Sequence, residues 1–282
     1  MLIFNNQADL KRHLKAVNQA ETTIGFVPTM GALHEGHLSL ISKSLTENTQ
    51  TIVSIFVNPT QFNNAEDLQK YPRTMEVDTA KIEQISDAVI LFAPSVDDIY
   101  QGNTVSEHFD FDGLENQMEG AHRPGHFDGV GTIVKRLFEI INPTNAYFGE
   151  KDFQQLQIVK KMVEKYHFPV NVIGRPILRE ASGLAMSSRN ERLSPEARTE
   201  AALIFKIMTE AREQFETHTP SEVVHYVTAA FEKAPNFKLE YFEIADESTL
   251  LPATFKEENK KYRAFIAIFI NNVRLIDTIS LN

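Results

Sequence analysis

Cysteine and tryptophan are both absent from this chain of 282 residues. Without cysteine, the protein cannot form disulfides, bind a metal through thiolates or use a thiol as a nucleophile. The absence of cysteine is consistent with a cytoplasmic protein, because disulfides form mostly in oxidising compartments. Long apolar runs are also missing, since no stretch approaches the roughly 18 apolar residues of a membrane span. The first 17 residues lack the apolar core of a signal peptide.

The charge balance is acidic, with 38 Asp and Glu against 28 Lys and Arg and a formal net charge of −10. A chain of this sign is poorly suited to extended contact with the phosphates of nucleic acid, so we expect no nucleic-acid partner. The missing apolar span leads us to expect no membrane partner either. A small anion can still bind in a local basic pocket. Hydrophobic residues make up 42% of the chain, which is normal for a globular protein.

Short apolar runs alternate with amphipathic segments over the first 176 residues. The runs predict buried strands and the segments between them predict helices. Such alternation indicates a parallel sheet with right-handed crossovers, hence a doubly wound α/β domain of the nucleotide-binding type. The predicted strands are 23–27, 51–57, 87–93, 145–149 and 170–174, and the predicted helices are 36–47, 77–86, 129–141 and 153–166.

The pattern changes after residue 176, where helical segments precede three strand-like ones. Ser194 is a suitable N-cap, and Pro195 a suitable first-turn residue, for a helix over 194–215. The order predicts a Rossmann-like domain at 1–176 and a smaller α+β domain at 177–282. The remaining predicted elements are a helix within 218–234, strands at 238–245, 262–270 and 273–281, and a turn at Asn271 and Asn272.

The segment PTMGALHEGH, residues 28–37, directly follows the first of these predicted strands. In open α/β sheets, ligands bind beyond the carboxyl ends of strands, and the free N–H groups at a helix start favour an anion. His34 and His37 can both donate hydrogen bonds to such an anion, which suits the phosphates of ATP. A zinc-protease motif needs histidines four residues apart, so HEGH does not match it. On these letters alone, an ordinary surface loop stays an open alternative.

Polar residues also follow other predicted strands. Asn58 and Gln61 come after the second strand, where neutral amides suit a ligand with hydroxyls and a carboxylate; a plain turn is the alternative. After the strand at 145–149, Lys151 can meet a phosphate and Gln155 faces the same edge, although such a lysine is more often solvated. These positions therefore predict further ligand contacts at one edge of the sheet.

Two loops complete the set of candidate sites. Ser187, Ser188 and Arg189 lie in GLAMSSRN, where hydroxyls and a guanidinium beside glycine predict a mobile phosphate clamp. A flexible linker is the alternative for that segment. The other loop, HRPGHFDGV, is either near the site or a polar connection into the next helix. It contributes His122, Arg123 and His126.

Taken together, six segments resemble the motifs of the pantoate–β-alanine ligase family, in that family's order. They are PTMGALHEGH, FVNPTQF, YPRT, GHFDGV, FGEKDFQQL and GLAMSSRN. The resemblance spans nearly the whole chain and implies a fold related to the class I aminoacyl-tRNA synthetase core, of the HUP type. HEGH then corresponds to the H-x-G-H signature of those enzymes, and MSSR replaces their K-M-S-K-S loop. The tRNA synthetases carry a lysine before the methionine of that loop, whereas this chain has Ala185 before Met186. The ligase family shows the same departure from the synthetase pattern.

The resemblance implies a reaction in two steps with ATP, pantoate and β-alanine as substrates. Pantoate attacks the α-phosphorus of ATP to give pantoyl adenylate and pyrophosphate, and β-alanine then displaces AMP to give pantothenate, a coenzyme A precursor. Mg²⁺ is expected to be carried by the ATP phosphates, with no protein metal cage. The resemblance also implies a homodimer, and a second domain that acts as a lid.

The resemblance further assigns roles to single residues. His37 is the expected proton donor, and the catalytic set comprises His34, His37, Lys151, Ser187, Ser188 and Arg189. The residues expected to bind ATP are Met30, Gly31, Ala32, Leu33, His34, Glu35, Gly36 and His37, then Gly149, Glu150, Lys151 and Asp152, and finally Leu178, Met186, Ser187, Ser188 and Arg189. Those expected to bind pantoate or β-alanine are Gln61, Gln155 and Asn58.

Two other readings compete with the ligase. One is another adenylyl-transferring enzyme of the same fold, such as a nucleotidylyltransferase or a small tRNA-synthetase relative. The acidic charge and the lack of an anticodon-binding module count against tRNA. The other is a non-catalytic nucleotide sensor, which would not need the complete set of His34, His37, Lys151 and the MSSR loop.

Overall fold

The structure, a computed structural model, describes residues 1–17 and 21–282. Two compact units account for the chain. The first contains Met1–Glu115, Glu119–Gly149 and Gln155–Arg175, and the second contains Asn116–Met118, Glu150–Gln154 and Pro176–Asn282.

A parallel sheet forms the centre of the first unit, as the alternating pattern predicts. Over the described residues its strands are β1 (Leu2–Phe4), β2 (Ile24–Thr29), β3 (Gln50–Ile55), β4 (Ile90–Phe92), β5 (Asn145–Gly149) and β6 (Asn171–Arg175). They are ordered β1-β4-β3-β2-β5-β6, and all neighbouring pairs are parallel. The Rossmann-like fold is therefore confirmed.

The middle of the sheet explains why these segments are strands. Phe26 and Val27 of β2, and Ile52 and Val53 of β3, have no exposed surface. Successive side chains of a strand point to opposite faces, so both faces of the sheet are covered here. β1 escaped prediction because it is only three residues long and lies at the edge, where Leu2 is 51% exposed.

Helices cover the sheet at the positions that the periodicity predicts, with shorter ones between them. They are α1 (Gln7–Val17), α2 (Glu35–Glu47), α3 (Ala65–Lys70), α4 (Met75–Ile85), α5 (Val96–Tyr100), α6 (Met118–His122), α7 (His126–Ile141) and α8 (Phe153–Tyr166). All four predicted helices are confirmed, the largest difference being at α7, which begins at His126 instead of residue 129. The sequence patterns did not predict α1 or the short helices α3, α5 and α6.

The buried face of α8 differs in part from its sequence pattern. Leu156, Val159, Val163 and Tyr166 follow one another at spacings of 3, 4 and 3, which predicts one buried helical face. Leu156 and Val159 are buried as predicted, but Tyr166 is 47% exposed at the end of the helix. Met162, three residues after Val159, is instead fully buried, so the buried face differs from the predicted row at its C-terminal end.

The strand order brings two carboxyl ends together at the centre of the first unit. β2 pairs with β3 on one side and with β5 on the other. From β2 the chain proceeds through β3 and β4 toward one edge of the sheet, and then through β5 and β6 to the other edge. The strand order therefore reverses between β2 and β5. Ligands of open α/β sheets bind at such a reversal, beyond the carboxyl ends.

The second unit contains three helices and a three-stranded antiparallel sheet over its described residues. These are α9 (Pro195–Glu200), α10 (Ala202–Phe215) and α11 (Pro220–Glu232), followed by β7 (Phe237–Asp246), β8 (Tyr262–Ile270) and β9 (Val273–Ser280). The predicted α+β composition is confirmed.

The prediction of a single helix over 194–215 is wrong in one respect. The segment forms two helices, α9 and α10, because its hydrogen-bond ladder is interrupted at Ala201. Ser194 caps α9 by accepting the N–H of Ala197 at 3.2 Å, as predicted.

The turn between β8 and β9 has a backbone that few residues adopt easily. Asn271 and Asn272 have φ angles of 48° and 64°. Two consecutive positive φ values define a type I′ turn, whose twist matches that of the two strands. Asparagine tolerates this region better than other residues with a side chain, so the predicted turn at Asn271-Asn272 is confirmed.

No helix formed by residues 1–17 or 21–282 is long and apolar enough to cross a membrane.

Candidate active site

The loop between β2 and α2 has an unusual backbone. Gly31 and Ala32 have φ angles of 83° and 50°, in the left-handed region. A Cβ atom at Gly31 would lie 3.1 Å from Ile55 and 3.2 Å from the carboxylate of Asp78, so glycine suits both the angle and the space. Ala32 has no such freedom, and its conformation costs about 1–2 kcal/mol. The surrounding structure must therefore hold this loop in place.

Asp78 of α4 provides that support. Its side chain has no exposed surface. Its carboxylate accepts the backbone N–H groups of Ala32 at 2.8 Å and Leu33 at 2.7 Å. The hydroxyl of Thr74 also donates to it, at 3.1 Å. Two backbone donors and a hydroxyl thus fix the strained loop to a neighbouring helix, and sequence reasoning did not single out Asp78.

The two histidines of the HEGH motif lie at the start of α2. His34 is the N-cap, and the ring centroids of His34 and His37 are 4.0 Å apart. The backbone N–H of His34 donates to Nδ1 of His37 at 3.4 Å. Because Nδ1 accepts, the proton of a neutral His37 is on Nε2, which can then donate a hydrogen bond. The 13-residue helix adds the partial positive charge of its N-terminus.

Asn58 and Gln61 follow β3, and the structure gives them different surroundings. The amide of Asn58 is buried and bonded within the unit: its NH₂ donates to Gln61 Oε1 at 3.2 Å and to the carbonyl of Gly129 at 3.0 Å. Its carbonyl oxygen accepts the hydroxyl of Tyr100 at 2.6 Å. Burial raises the pKa of Tyr100, which keeps that hydroxyl a donor.

Gln61 lies beside the first predicted loop. Its Nε2 is 3.2 Å from the sulfur of Met30, so two predicted site residues meet within the first unit. Gly129 of α7 packs against the turn that carries Gln61, and an added Cβ would lie 2.5 Å from the carbonyl oxygen of Thr60. Glycine at 129 therefore permits the close approach of helix and turn.

Two residues of the HRPGHFDGV segment hold the same turn. Nδ1 of His126 is 2.8 Å from the backbone carbonyl of Gln61, and Arg123 donates to that carbonyl at 3.3 Å. Arg123 is also 3.4 Å from Nε2 of His126. Since arginine can only donate, Nε2 accepts and the proton of His126 is on Nδ1, facing the carbonyl. The open question about this segment is thus answered in part: Arg123 and His126 fix the backbone at Gln61.

The segment after β5 begins at Gly149, around which a Cβ would meet open space. Glu150–Asp152 then form a single 3₁₀ turn, which belongs to the second unit. Within it the Lys151 side chain is only 16% exposed, and its ammonium is 3.7 Å from the Asp152 carboxylate. Lys151 is therefore not a solvated surface lysine. Gln155, two residues into α8, is half-buried.

The MSSR loop has a defined structure in the second unit. Ser187 caps a 3₁₀ turn over Ser188–Arg192 by accepting the N–H of Arg189 at 3.3 Å. Ser188 is 7% exposed and the following Asn190 is 2% exposed. Such burial and capping do not fit a flexible linker. Leu178, by contrast, is 41% exposed.

No group of three or more histidine, aspartate or glutamate side chains in the described ranges could hold a metal ion.

The fold and these loops define a class of protein. A Rossmann-like sheet ends, at its reversal point, in a histidine-bearing helix N-terminus, which is typical of enzymes that bind nucleotide phosphates. A family model described as pantoate-beta-alanine ligase matches residues 2–280. The chain belongs to the pantoate–β-alanine ligase family, and the enzyme is accordingly a ligase of pantothenate synthesis.

Individual relatives agree with this family. The chain is 62% identical over 281 residues to a pantothenate synthetase of Flavobacterium psychrophilum, covering 100% of both chains. Among solved structures, a pantothenate synthetase of Thermus thermophilus superposes with a TM-score of 0.90 at 39% identity, over 100% of this chain and 99% of that one. A pantoate-beta-alanine ligase of Francisella tularensis, solved in complex with β-γ ATP and β-alanine, gives 0.82 at 36% identity, over 100% and 98%.

Replacing Asp78 tests whether this carboxylate sustains the loop before the histidines. Asp78→Ala leaves the N–H groups of Ala32 and Leu33 without their acceptor, at about 1–3 kcal/mol for each buried donor. We expect kcat for pantothenate formation to fall about tenfold or more, since about 1.4 kcal/mol corresponds to a factor of ten. Glu76→Ala, an exposed carboxylate in the first turn of the same helix, is the matched control. A kcat equal to that of this control would contradict the role of Asp78.

Proposed function

We propose that this ligase activates pantoate with ATP, forming pantoyl adenylate and pyrophosphate, and then transfers the pantoyl group to β-alanine with release of AMP. The observation that carries the proposal is the pair His34 and His37 at the N-terminus of α2, beyond the carboxyl end of a central parallel strand. The Francisella relative, solved with an ATP compound and β-alanine, supports the choice of substrates.

The chemistry requires activation because a free carboxylate resists attack by an amine. In the first step a carboxylate oxygen of pantoate bonds to the α-phosphorus, and the bond from that phosphorus to the pyrophosphate oxygen breaks. In the second step the amine of β-alanine bonds to the acyl carbon, AMP departs with the shared oxygen, and the amine loses a proton. The first transition state gathers negative charge on phosphate oxygens, so fixed donors stabilise it.

The loop from Met30 to His37, namely Met30, Gly31, Ala32, Leu33, His34, Glu35, Gly36 and His37, is the first unit's proposed contribution to ATP binding. His37 is the proposed proton donor, because its Nδ1 accepts a backbone N–H and its proton is therefore on Nε2. His34 adds a second imidazole 4.0 Å away, measured between ring centroids. Gly149, at the end of β5, gives a ligand access to the backbone.

The second unit contributes its own proposed phosphate-binding residues, Glu150, Lys151, Asp152, Leu178, Met186, Ser187, Ser188 and Arg189. The low exposure of Lys151 favours a defined role for its charge. Arg189 offers the planar donor set that suits phosphate oxygens. Mg²⁺ enters as part of the Mg–ATP substrate.

Gln61 and Gln155 are the proposed pantoate ligands, and Gln61 is also proposed to lie near β-alanine. Asn58 was expected among these ligands. Its amide is only 1% exposed and is bonded inside the unit. We therefore assign it the role of positioning Gln61 and not direct contact with substrate.

The enzyme is further proposed to act in the cytoplasm, where its substrate ATP is made and used, and to form a homodimer. Two expectations stay predictions. One is the domain boundary between residues 176 and 177, and the other is that the second domain acts as a lid.

Product analysis tests the proposed reaction. The enzyme is incubated with ATP, Mg²⁺, pantoate and β-alanine, each omitted in turn, and AMP, ADP and pantothenate are quantified. AMP and pantothenate in equal amounts, formed only in the complete mixture, are the expected result. ADP in place of AMP would contradict the adenylate route.

Replacing His37 tests the proposed donor. His37→Ala is expected to lower kcat by about 10²–10³-fold, the scale for losing one donor that acts in the transition state. His225→Ala, an exposed histidine of α11, should leave kcat unchanged and serves as the control. Wild-type turnover in the His37 variant would remove it from the mechanism.

Replacing Gln61 tests the placement of pantoate. Gln61→Ala should raise the KM for pantoate about tenfold to a hundredfold, the range for a hydrogen bond to a charged group, and leave the KM for ATP nearly unchanged. Gln69→Ala, an exposed glutamine of α3, is the control. An effect on the KM for ATP alone would refute this placement.

A further inference from the structure

The MSSR loop is the continuation of a small hairpin in the second unit. The N–H of Met186 donates to the carbonyl of Leu178 at 3.0 Å, and the N–H of Glu180 donates to that of Leu184 at 2.8 Å. Arg179 and Ala185 form the antiparallel bridge between its two arms. Whatever fixes residues 178–186 therefore fixes the point from which Ser187, Ser188 and Arg189 extend.

Arg179 fixes this hairpin to the antiparallel sheet. Its two terminal nitrogens donate to the two carboxylate oxygens of Asp277 on β9, at 2.6 and 3.0 Å. It also donates to the carbonyl of Gly183 at 3.1 Å and to that of Thr278 at 3.3 Å. Asp277 is 5% exposed. One guanidinium thus joins the hairpin tip to β9 through fixed, directional bonds.

Phe205 of α10 closes the other side of the same guanidinium. The Cζ atom of Arg179 lies 3.9 Å from the centre of the Phe205 ring. Gly183 has a φ of 91°, and an added Cβ would come within 2.4 Å of this ring. The hairpin therefore packs on Phe205 too closely to shift toward it.

The neighbouring residue, Glu180, fixes the hairpin in a second direction. It accepts Nε and a terminal nitrogen of Arg198 on α9, at 3.1 and 2.9 Å. It also accepts the side-chain amide of Asn190 at 2.9 Å. The same amide nitrogen of Asn190 donates to the carbonyl of Ala185 at 3.0 Å. Asn190 thus connects the far end of the MSSR loop back to the hairpin.

We propose that Arg179 and Asp277 are positioning residues for the ligase reaction, which hold the Ser187–Arg189 loop in the geometry that phosphate binding needs. Glu180, Arg198 and Asn190 support them from the other side. The proposal rests on the proposed role of that loop in binding ATP. It replaces the expectation of a mobile clamp with that of a loop fixed before the nucleotide arrives.

The ion pair of Arg179 and Asp277 is better suited to positioning the loop than to stabilising the protein. Desolvation of a buried ion pair is costly, and apolar side chains of similar shape often stabilise a protein as well or better. A bidentate guanidinium–carboxylate pair instead sets both distance and orientation. Donors to a charged transition state contribute most when they are fixed in advance, and a misplacement of about 1 Å can cost about 10²-fold in rate.

The test compares two carboxylates of the same antiparallel sheet. Asp277→Asn weakens the pair with Arg179, whereas Glu240→Gln weakens the pair of Glu240 with Arg274, whose Nε lies 2.9 Å from that carboxylate. For Asp277→Asn we expect kcat/KM for ATP to fall about 10–100-fold, with the KM for β-alanine unchanged. Glu240→Gln should leave both near the wild-type values. The melting temperature of each variant shows how much of any loss is due to unfolding.

Two further variants separate the two assumptions of the proposal. One assumption is that the loop binds ATP, and the other is that Arg179 and Asp277 position the loop. Arg189→Ala tests the loop itself: unchanged kinetics would refute its role in ATP binding and with it the basis of the proposal. If Arg189→Ala loses activity but Asp277→Asn behaves as Glu240→Gln does, the positioning role is wrong and the loop assignment stands. Arg179→Lys keeps the charge without the two-pronged geometry, so recovery of full activity there would also contradict positioning by the bidentate pair.

Discussion

The buried carboxylate of Asp78 is the constraint on which the rest of the first unit's site depends. It accepts the backbone N–H groups of Ala32 and Leu33, and so holds Ala32 in a backbone shape that alanine normally avoids. That shape determines where β2 ends and α2 begins, and hence where His34 and His37 lie. The sheet supplies only a place for a ligand, since any parallel sheet of this topology has a reversal point. The buried carboxylate makes that place specific.

The second unit uses the same physical principle with different partners. There, Asp277 is buried on an antiparallel strand and acts through Arg179 instead of accepting the N–H groups of a distant loop. In both units a carboxylate outside the motif fixes a loop inside it. Each loop therefore depends on a residue that makes no proposed contact with substrate. A short motif therefore needs the rest of the chain, which supplies the residues that fix its loop.

Sequence patterns predicted most strands and helices because these elements depend on residues that are close together in the chain. Apolar runs and 3.6-residue periodicity predicted five strands of the parallel sheet and its longer helices, and the Asn271-Asn272 turn followed from side-chain chemistry. The edge strand β1 was too short to carry a pattern. The helix predicted over 194–215 was interrupted at Ala201 without any proline or glycine to indicate it.

The supporting residues could not be predicted, because their contacts join distant parts of the chain. Asp78 is 46 residues from Ala32, and Arg179 is 98 residues from Asp277. An aspartate in the first turn of a helix normally indicates only a favourable interaction with the helix dipole. Asn58 shows the opposite case: its position after a strand favoured a ligand contact, whereas its amide is bonded inside the unit. Sequence position indicates the edge of the sheet, but the direction of a side chain depends on tertiary packing.

In the proposed first step, a carboxylate oxygen of pantoate becomes bonded to the α-phosphorus of ATP. Pantoate labelled with ¹⁸O in its carboxylate tests this directly, by mass spectrometry of the AMP and pantothenate formed. We expect AMP to carry one ¹⁸O atom and pantothenate to retain the other. Unlabelled AMP, with both labelled oxygens elsewhere, would contradict the adenylate intermediate and with it the role assigned to the two histidines.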